Sequence, residues 1–299
     1  SSCENLNVPN QVYTLQSNII SYPSTCFTIT ADNITLNGNG FYIDGTDGNS
    51  SSNGVYAQGR LNITIKNINI SDFGDGINLN YTNNSLIINN ELRSNLKNGI
   101  HLAIRSNNNQ IINNTMNSND NGILVFLGSN NNQIINNTAN SNLQIGIYIS
   151  SSSNNNQIIN NTASNNLQYG LYLLSSSNNN VTNSTFNNNL IHGILITHSS
   201  NNRILENKLS NNTNSGIRLH LDSDRNIIIG GIINNSGTNG ALAFEATTSS
   251  YPENNNFTNI IILNTNSSYY DIRFLQESIN GTYLIDMPHI GNYSFNNSR

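Results

Sequence analysis

The residues of this chain that could perform chemistry are, first, two pairs of carboxylates. The pairs are Asp72 with Asp75 and Asp222 with Asp224. Two carboxylates about 5–10 Å apart can serve as the acid and the base that cleave a bond between two sugars. A structural role is the alternative for Asp72 and Asp75, because they precede a predicted strand and aspartate commonly accepts hydrogen bonds from turn amides.

The second candidate is the densest group of charged side chains, which would lie close to His198 of the preceding repeat. It consists of Arg218, His220, Asp222, Asp224 and Arg225. Such a cluster is either a catalytic centre or a solvated, ion-paired loop. A metal bound by His198, His220 and Asp222 is a weak alternative, because no spacing of Cys and His fits a zinc or copper cage. The sequence therefore predicts no catalytic residue, no metal and no cofactor.

The elements that must position these residues repeat with a fixed period. A glycine followed by a short alternating apolar segment recurs every 23 or 24 residues, at Gly76, Gly99, Gly122, Gly146, Gly170, Gly193, Gly216 and Gly240. The segment Asn-Asn-Gln-Ile-Ile-Asn-Asn-Thr also occurs three times, beginning at Asn108, Asn131 and Asn155. A period this regular indicates one small unit stacked on itself, so the fold is expected to be a rod.

The repeats read as β-strands. Alternation such as Gly146-Ile147-Tyr148-Ile149 is typical of a strand with one buried face, and clusters of Asn, Ser, Gly and Thr separate the strands. Parallel crossovers are overwhelmingly right-handed. The sequence therefore predicts an all-β fold, a right-handed single-stranded parallel β-helix of about 10–11 coils, roughly 50 Å long for a strand spacing of 4.8 Å.

Alignment of the coils separates inside from outside. In one coil the inward positions are expected to be Ile134, Asn137, Ala139, Asn142, Ile147 and Ile149. The asparagines at two of these positions recur in most coils, and amides stacked one coil apart can hydrogen-bond to each other. We therefore expect two buried asparagine ladders that are structural.

Composition agrees with one elongated domain. Asparagine fills nearly a quarter of the chain and only 9% is charged, which would suit a disordered polar tract if the apolar residues were not periodic. The predicted division is an N-terminal cap at 1–26, the β-helix at 27–265, and C-terminal strands or a cap at 266–299. The net charge of -5 and the absence of a basic stripe disfavour nucleic acid as a partner.

The two cysteines indicate an oxidising compartment. Cys3 and Cys26 bracket the N-terminal segment, and closing that loop as a disulfide would contribute about 3–4 kcal/mol. A pair of reduced structural thiols is the alternative. With no signal peptide and no membrane span recognised, the chain is expected to be a mature secreted product, extracellular or on a cell surface.

Asn-X-Ser/Thr sequons support the same location. In a chain so rich in Asn, Ser and Thr, the alternative for any one of them is an unmodified surface amide. Asn113, Asn136, Asn160 and Asn183 share one offset and should form an outward column. The predicted glycosylation sites are Asn33, Asn49, Asn62, Asn69, Asn80, Asn83, Asn113, Asn136, Asn160, Asn180, Asn183, Asn211, Asn234, Asn256, Asn266, Asn280, Asn292 and Asn296.

An apolar and aromatic stripe is expected on the outside of the glycine-led strands. Two and four residues after the repeat glycines, outward positions carry large side chains as far as Leu242 and Phe244. The predicted interface consists of Leu124, Phe126, Tyr148, Tyr169, Tyr172 and Leu195. Exposed patches of this size usually bind a partner. The alternative is a satellite core covered by a loop or by the C-terminal segment.

Residues 26–45, residues 62–67 and the Asn-Asn-X-Ile-X-X-Asn coils carry a family resemblance. Over about residues 12–265 the chain resembles the parallel β-helix repeat proteins of the pectin-lyase-like, NosD-like group, particularly those of archaeal cell surfaces. The resemblance implies an exported, glycosylated envelope protein. His192 resembles a histidine of pectin-cleaving members, but it lies five coils, about 24 Å, from Asp75, and no ligand set supports the copper role of NosD.

The sequence thus predicts a structural glycoprotein, not an enzyme, that assembles with copies of itself into a surface layer, sheath or filament and carries covalent N-glycans. One alternative is an enzyme or binding protein for carbohydrate, its sugar stacking on Tyr148, Tyr169 and Tyr172. The other is a surface adhesin.

Overall fold

The computed structural model describes residues 2–46, 48–246, 250, 252–264, 271–276, 283–286 and 293–295. All regular secondary structure in them is β-strand. The first strands are β1 (Glu4–Leu6), β2 (Val12–Thr14), β3 (Ile19–Tyr22), β4 (Phe27–Ile29), β5 (Thr35–Asn37), β6 (Tyr42–Gly45), β7 (Asn53–Gln58), β8 (Thr64–Lys66), β9 (Asn69–Ser71), β10 (Asp75–Asn80), β11 (Leu86–Ile88) and β12 (Glu91–Arg93).

The middle of the chain continues with the same alternation of short and longer strands. They are β13 (Asn98–Ala103), β14 (Gln110–Ile112), β15 (Thr115–Asn117), β16 (Asn121–Val125), β17 (Gln133–Ile135), β18 (Ile145–Ser150), β19 (Gln157–Ile159), β20 (Tyr169–Leu174), β21 (Asn180–Thr182), β22 (Thr185–Asn187), β23 (His192–Thr197), β24 (Arg203–Leu205), β25 (Lys208–Ser210) and β26 (Ser215–His220). The last are β27 (Ile227–Ile229), β28 (Ile232–Asn234), β29 (Leu242–Ala246), β30 (Asn255–Thr258), β31 (Ile261–Leu263), β32 (Ile272–Gln276), β33 (Tyr283–Asp286) and β34 (Tyr293–Phe295).

These strands wind into a three-sided parallel solenoid. Sheet A has 13 strands in the order β1-β4-β7-β10-β13-β16-β18-β20-β23-β26-β29-β32-β34, and sheet B has 12, from β2 to β33. The third side consists of a five-stranded sheet (β3 to β15) and a four-stranded sheet (β22 to β31), joined by single bridges through Thr138 and Thr162. The predicted parallel β-solenoid is confirmed.

Register places like residues over like. Ile111 pairs with Ile134 and Ile134 with Ile158, and all three are fully buried. The expected inward positions of the coil from Ile134 to Ile149 are confirmed, because none of those side chains is more than 1% exposed. Stacked β-branched side chains fill the core from coil to coil, which stabilises the rod.

Both predicted asparagine ladders are present. One runs through Asn90, Asn114, Asn137 and Asn161. The first three donate from Nδ2 to Oδ1 of the next coil at 2.9–3.1 Å, whereas Asn161 Nδ2 donates to backbone carbonyls because Ser184 follows in the next coil. The other runs through Asn95, Asn119, Asn142, Asn166, Asn189 and Asn212. A third ladder, which we did not predict, links Asn132, Asn156, Asn179, Asn202 and Asn226. These bonds satisfy the buried amide groups. A buried amide without a hydrogen-bond partner would destabilise the fold.

The corners of the coil explain the other asparagines. Asn113, Asn136 and Asn160 each take a left-handed backbone conformation, with φ of 55°, 57° and 55°. Asparagine tolerates this region better than other residues that have a side chain, apart from aspartate. The same residue type therefore has two roles in a coil, in the buried ladders and at the exposed turns.

The repeat glycines face the interior at the start of the sheet A strands, where no side chain fits. A Cβ on Gly146 would lie 2.6 Å from Cβ of Ala163 and 2.8 Å from O of Gly170. The last repeat departs from the prediction, because Gly240 is a turn residue with φ +104° and Ala241 takes the inward position. Leu242 and Phe244, expected outside, are consequently buried in the core.

The predicted disulfide between Cys3 and Cys26 is formed. It lies beside β1 and β4, which pair with each other, so the segment before residue 26 already contributes a strand to sheet A. The boundaries at residues 26 and 265 stay a prediction. The described residues include no helix long and apolar enough to cross a membrane.

Candidate functional site: the outer face of sheet A

The outer face of sheet A carries most of the functional side chains expected from the sequence. Strand pairing aligns one outward column through Asn78, His101, Leu124, Tyr148, Tyr172, Leu195, Arg218 and Ala243. Flanking columns contribute, among others, Tyr169 and His192 on one side and His220 and Glu245 on the other. The face therefore has a polar end near Asp75, an aromatic middle and a charged end near Arg218.

The aromatic middle is continuous. The rings of Tyr148 and Tyr172 stack at 5.1 Å, Tyr169 meets Tyr172 edge-on at 5.3 Å, and Tyr169 stacks on His192 at 5.6 Å. The three tyrosines are half-buried, on the outside of the rod and not in its lumen. Because they stack on one another, part of each ring face is already covered.

The predicted interface residues are brought together, with one exception to their exposure. Leu124, Phe126 and the tyrosines keep partly exposed surface, whereas Leu195 is only 7% exposed and fills the space between Tyr172 and Arg218 along its column. Whether a partner binds there stays a prediction. A further exposed column, which the sequence analysis missed, lies at the turn entering sheet A and consists of Leu143, Leu167 and Leu190.

The charged end is built around Arg218. Its guanidinium forms an ion pair with Glu245 of β29, and each side chain is only 16% exposed. His220 Nε2 lies 3.3 Å from Glu245 Oε2, and Arg218 Nη1 lies 3.3 Å from His192 Nε2. Glu245 was not predicted, because in its own repeat Gly240 lies in a turn and Ala241 takes the inward position.

The rest of the predicted charged cluster turns away from this site. Asp222 is exposed, and Asp224 accepts a bond from the backbone N–H of Glu253 at 2.8 Å. Arg225 donates to Oδ1 of Asn201 at 3.2 Å, and His198 is exposed in the turn. Asp224 and Arg225 form hydrogen bonds within the loop, which agrees with the alternative that this cluster is a solvated loop. Among the residues that the structure describes, no three His, Cys, Asp or Glu side chains could hold a metal ion.

Both histidines of the charged end are neutral at pH 7. Burial lowers the pKa of His192 to about 3, helped by the Arg218 cation and by His220. Burial likewise lowers the pKa of His220 to about 4, with further contributions from Arg218 and His198. Since Arg218 can only donate, His192 Nε2 must accept, which leaves the proton on Nδ1. That Nδ1 is buried and has no partner in the described residues.

The polar end centres on Asp75, which is 6% exposed. Its carboxylate accepts bonds from Asn98 Nδ2 at 2.7 Å and Asn78 Nδ2 at 2.9 Å, and lies 3.2 Å from His101 Nδ1. Burial alone would raise the pKa of Asp75. The hydrogen bond with His101, the charge of that histidine and the hydrogen bonds from Asn98 together outweigh burial, so the pKa is lowered. The backbone of Asp72 is left-handed, with φ 60°, which agrees with a structural role for this residue in a turn. The side chains that the structure shows bonded to the Asp75 carboxylate are two amides and an imidazole, and none of them is a second carboxylate of the kind a glycoside hydrolase pairs.

The histidines predict an acid-sensitive fold. An unfolded histidine has a pKa of 6.5, above the folded values of about 3 and about 4. The unfolded chain therefore binds more protons in this window, so this contribution to stability is complete above pH 6.5 and is lost as the pH falls. We expect a loss of about 3 kcal/mol from His192 by pH 4.5. Urea unfolding of His192→Asn should show a flatter pH dependence, while His198→Gln, changed at an exposed turn, should keep most of the wild-type dependence, because His198 is only the last contribution to the low pKa of His220.

The sequon asparagines of the predicted column are all exposed. Asn113, Asn136, Asn160 and Asn183 lie at the turn after sheet B, away from the outer face of sheet A. By contrast, Asn83 is half-buried, and its Oδ1 accepts the backbone N–H of Asn107 at 2.6 Å. Four further predicted sites, Asn266, Asn280, Asn292 and Asn296, lie outside the described residues. Glycan occupancy stays a prediction at all of them.

Comparison with solved structures shows the same fold in polysaccharide-modifying enzymes and in a phage protein. The A-module of mannuronan C-5 epimerase AlgE6 from Azotobacter vinelandii matches with a TM-score of 0.72 and 18% identity, covering 98% of this chain and 90% of that one. The periplasmic alginate epimerase AlgG matches at 0.63 and 17%, covering 93% and 73%. The tailspike protein of Dettilon matches at 0.64 and 13%, covering 90% and 62%. No curated protein sequence matches significantly.

The prediction that the chain is not an enzyme is wrong on this comparison, because alginate epimerases are enzymes. An identity of 17–18% shows a shared fold alone. The resemblance drawn from the repeats is confirmed in its fold. The family model for the right handed beta helix region matches residues 6–163 and 134–268, and the chain therefore belongs to that family.

Proposed function

We propose that this chain binds a linear polysaccharide along the outer face of sheet A. The observation that carries the proposal is the unbroken arrangement of partly exposed tyrosines between two polar clusters on one side of the rod. From the coil of Asp75 to that of Glu245 the face spans about 30 Å at the usual strand spacing. An extended polymer fits such a face better than a small ligand, which would require a deep pocket.

The chemistry of the face suits sugars. Tyrosine offers an apolar ring for the C–H face of a sugar and a hydroxyl for its O–H groups. The three tyrosines cover part of each other's faces, so hydroxyl and ring-edge contacts contribute more here than flat stacking. Arg218 and His220, at the charged end, would bind hydroxyl or carboxylate oxygens. The epimerase neighbours, named for alginate and mannuronan, support a polysaccharide ligand.

Processing of the bound chain would centre on Tyr169 and Arg218. Burial raises the pKa of Tyr169 despite the opposing Arg218 charge, so the phenol keeps its proton and can donate it. His192, with a pKa of about 3, is a weak proton acceptor. Its role would be to position Arg218 by accepting a hydrogen bond from the guanidinium. Arg218, whose charge is paired with Glu245, would meet a sugar hydroxyl or carboxylate through N–H donation.

The test is affinity electrophoresis of the native protein in gels containing alginate, polygalacturonate or dextran. We expect retardation by at least one of them, and Tyr148→Ser with Tyr172→Ser should weaken it about tenfold. Gln133→Ser, on the outer side of sheet B, is the matched control and should bind as the wild type does. Proton NMR of the recovered polysaccharide would detect epimerised or cleaved residues.

Retardation by none of the polysaccharides would overturn the proposal, as would equal binding by the double tyrosine variant.

Self-assembly into a surface layer, sheath or filament is a second proposal, favoured by the leucine column at 143, 167 and 190, where the side chains are 60%, 51% and 56% exposed. Electron microscopy of the same preparations would show arrays or fibres if it holds. A secreted or surface location, with N-glycans on the sequon column, accompanies both proposals.

A further inference from the structure

The turn that leaves sheet A differs from the other corners of the coil. Corners elsewhere place mostly asparagine or serine in the left-handed region, as at Asn113, Asn136, Asn160 and Asn183. In the turn after sheet A the first left-handed residue is large in most coils, and the large ones are Tyr81, Ile104, Leu127, His198 and Leu221, with φ between 43° and 51°.

The presence of large residues at this corner opposes the conformational preference of their backbone. Leucine and tyrosine adopt left-handed φ at a cost, and β-branched isoleucine is among the least suited residues. The turn itself does not require a large side chain, because Ser151 and Ser175 occupy the same corner in two neighbouring coils. Strained residues persist only where something else favours them, and such strain clusters at functional sites.

Core packing does not account for these side chains. Tyr81 and Leu127 are both 44% exposed, and Ile104 is also partly exposed. Leu127 directly follows Phe126, whose ring lies 6.4 Å from His101 on the outer face of sheet A. The large residues thus border the aromatic and polar parts of that face along one edge.

We infer that Tyr81, Ile104 and Leu127 form one wall of the polysaccharide site and contact the bound chain. The inference rests on the proposed function and adds the residues that would determine which sugar faces are accepted. The occupant is the same linear polysaccharide, because the wall is continuous with the proposed binding face through Phe126 and His101. Apolar side chains at its edge would pack against the C–H groups of the sugar rings.

The experiment separates strain from binding. Ile104→Ser with Leu127→Ser gives the corner the residue type that Ser151 and Ser175 already provide there, and it creates no glycosylation sequon. The matched control is Glu206→Ser, at a left-handed position with φ 54° after sheet B, in the column of Asn183. Both proteins are compared with the wild type in thermal melting and in affinity electrophoresis with whichever tested polysaccharide retards the wild type.

We expect the double variant to melt at the same temperature as the wild type or about 2 °C higher, and to bind about tenfold more weakly. The control should melt similarly and bind normally. Unchanged binding by the double variant would overturn the inference while leaving the proposed function intact. A melting temperature several degrees lower would assign these residues to the fold and also overturn it. If the wild type binds none of the polysaccharides, both proposals fail.

Discussion

Replacing Asn142 with leucine is expected to prevent stable folding of the rod. Asn142 Oδ1 accepts the backbone N–H of Asn119 at 3.0 Å, and its Nδ2 donates to O of Met116 and to Oδ1 of Asn166, both at 3.1 Å. Leucine would orphan the buried N–H of Asn119 and the carbonyl of Met116, at about 1–3 kcal/mol each. The sum approaches the whole stability of an ordinary domain. Soluble yield and thermal melting measure the effect.

Gln157→Leu is the control for that substitution, because it adds the same side chain at an exposed position of β19. It should melt within a few degrees of the wild type. Equal melting temperatures for the Asn142 and Gln157 variants would show that the ladder contributes little, contrary to the hydrogen bonds described above.

Glu245→Gln is expected to destabilise the C-terminal half of the rod by about 3–5 kcal/mol. The substitution keeps the shape of the side chain but leaves the guanidinium of Arg218, itself 16% exposed, without its counter-charge. His192 and His220 are neutral and cannot replace that charge. Urea unfolding at pH 7 measures the loss.

The double variant Glu245→Gln with Arg218→Met isolates the pair. Removing both charges should restore much of the stability, since the cost comes from one buried charge left alone. A double variant as unstable as the sum of the two single variants would contradict the pairing and assign the loss to packing.

Much of the fold could be predicted because the coil repeats its chemistry. The period placed Ile134 and Asn137 inside, and the alternation placed Tyr148 outside, without any knowledge of contacts between coils. The third ladder had a visible signal too, since Asn132 and Asn156 both occupy the second position of the repeated Asn-Asn-Gln segment. It was missed because we aligned the coils from the isoleucines onward.

The charged end of the site could not be predicted from the period. Gly240 matches the spacing of the repeat, but it lies in a turn, and Ala241 takes over the inward position. That shift of one residue reverses inside and outside for β29, so Glu245 and not Phe244 joins Arg218. Such local changes of register decide which polar residues pair across coils. A regular repeat period does not reveal them.

The asparagine ladders give the rod a polarity. In each ladder the side-chain nitrogen points toward the next coil along the chain and the oxygen toward the preceding one, so the amide dipoles all point the same way. At the C-terminal end of the third ladder, Asn255 accepts from the backbone of Asn226, while its own Nδ2 has no partner among the described residues. The two ends of the series are therefore chemically unlike: at its C-terminal end, where β33 follows β30 in sheet B, the last amide of the series presents a donor.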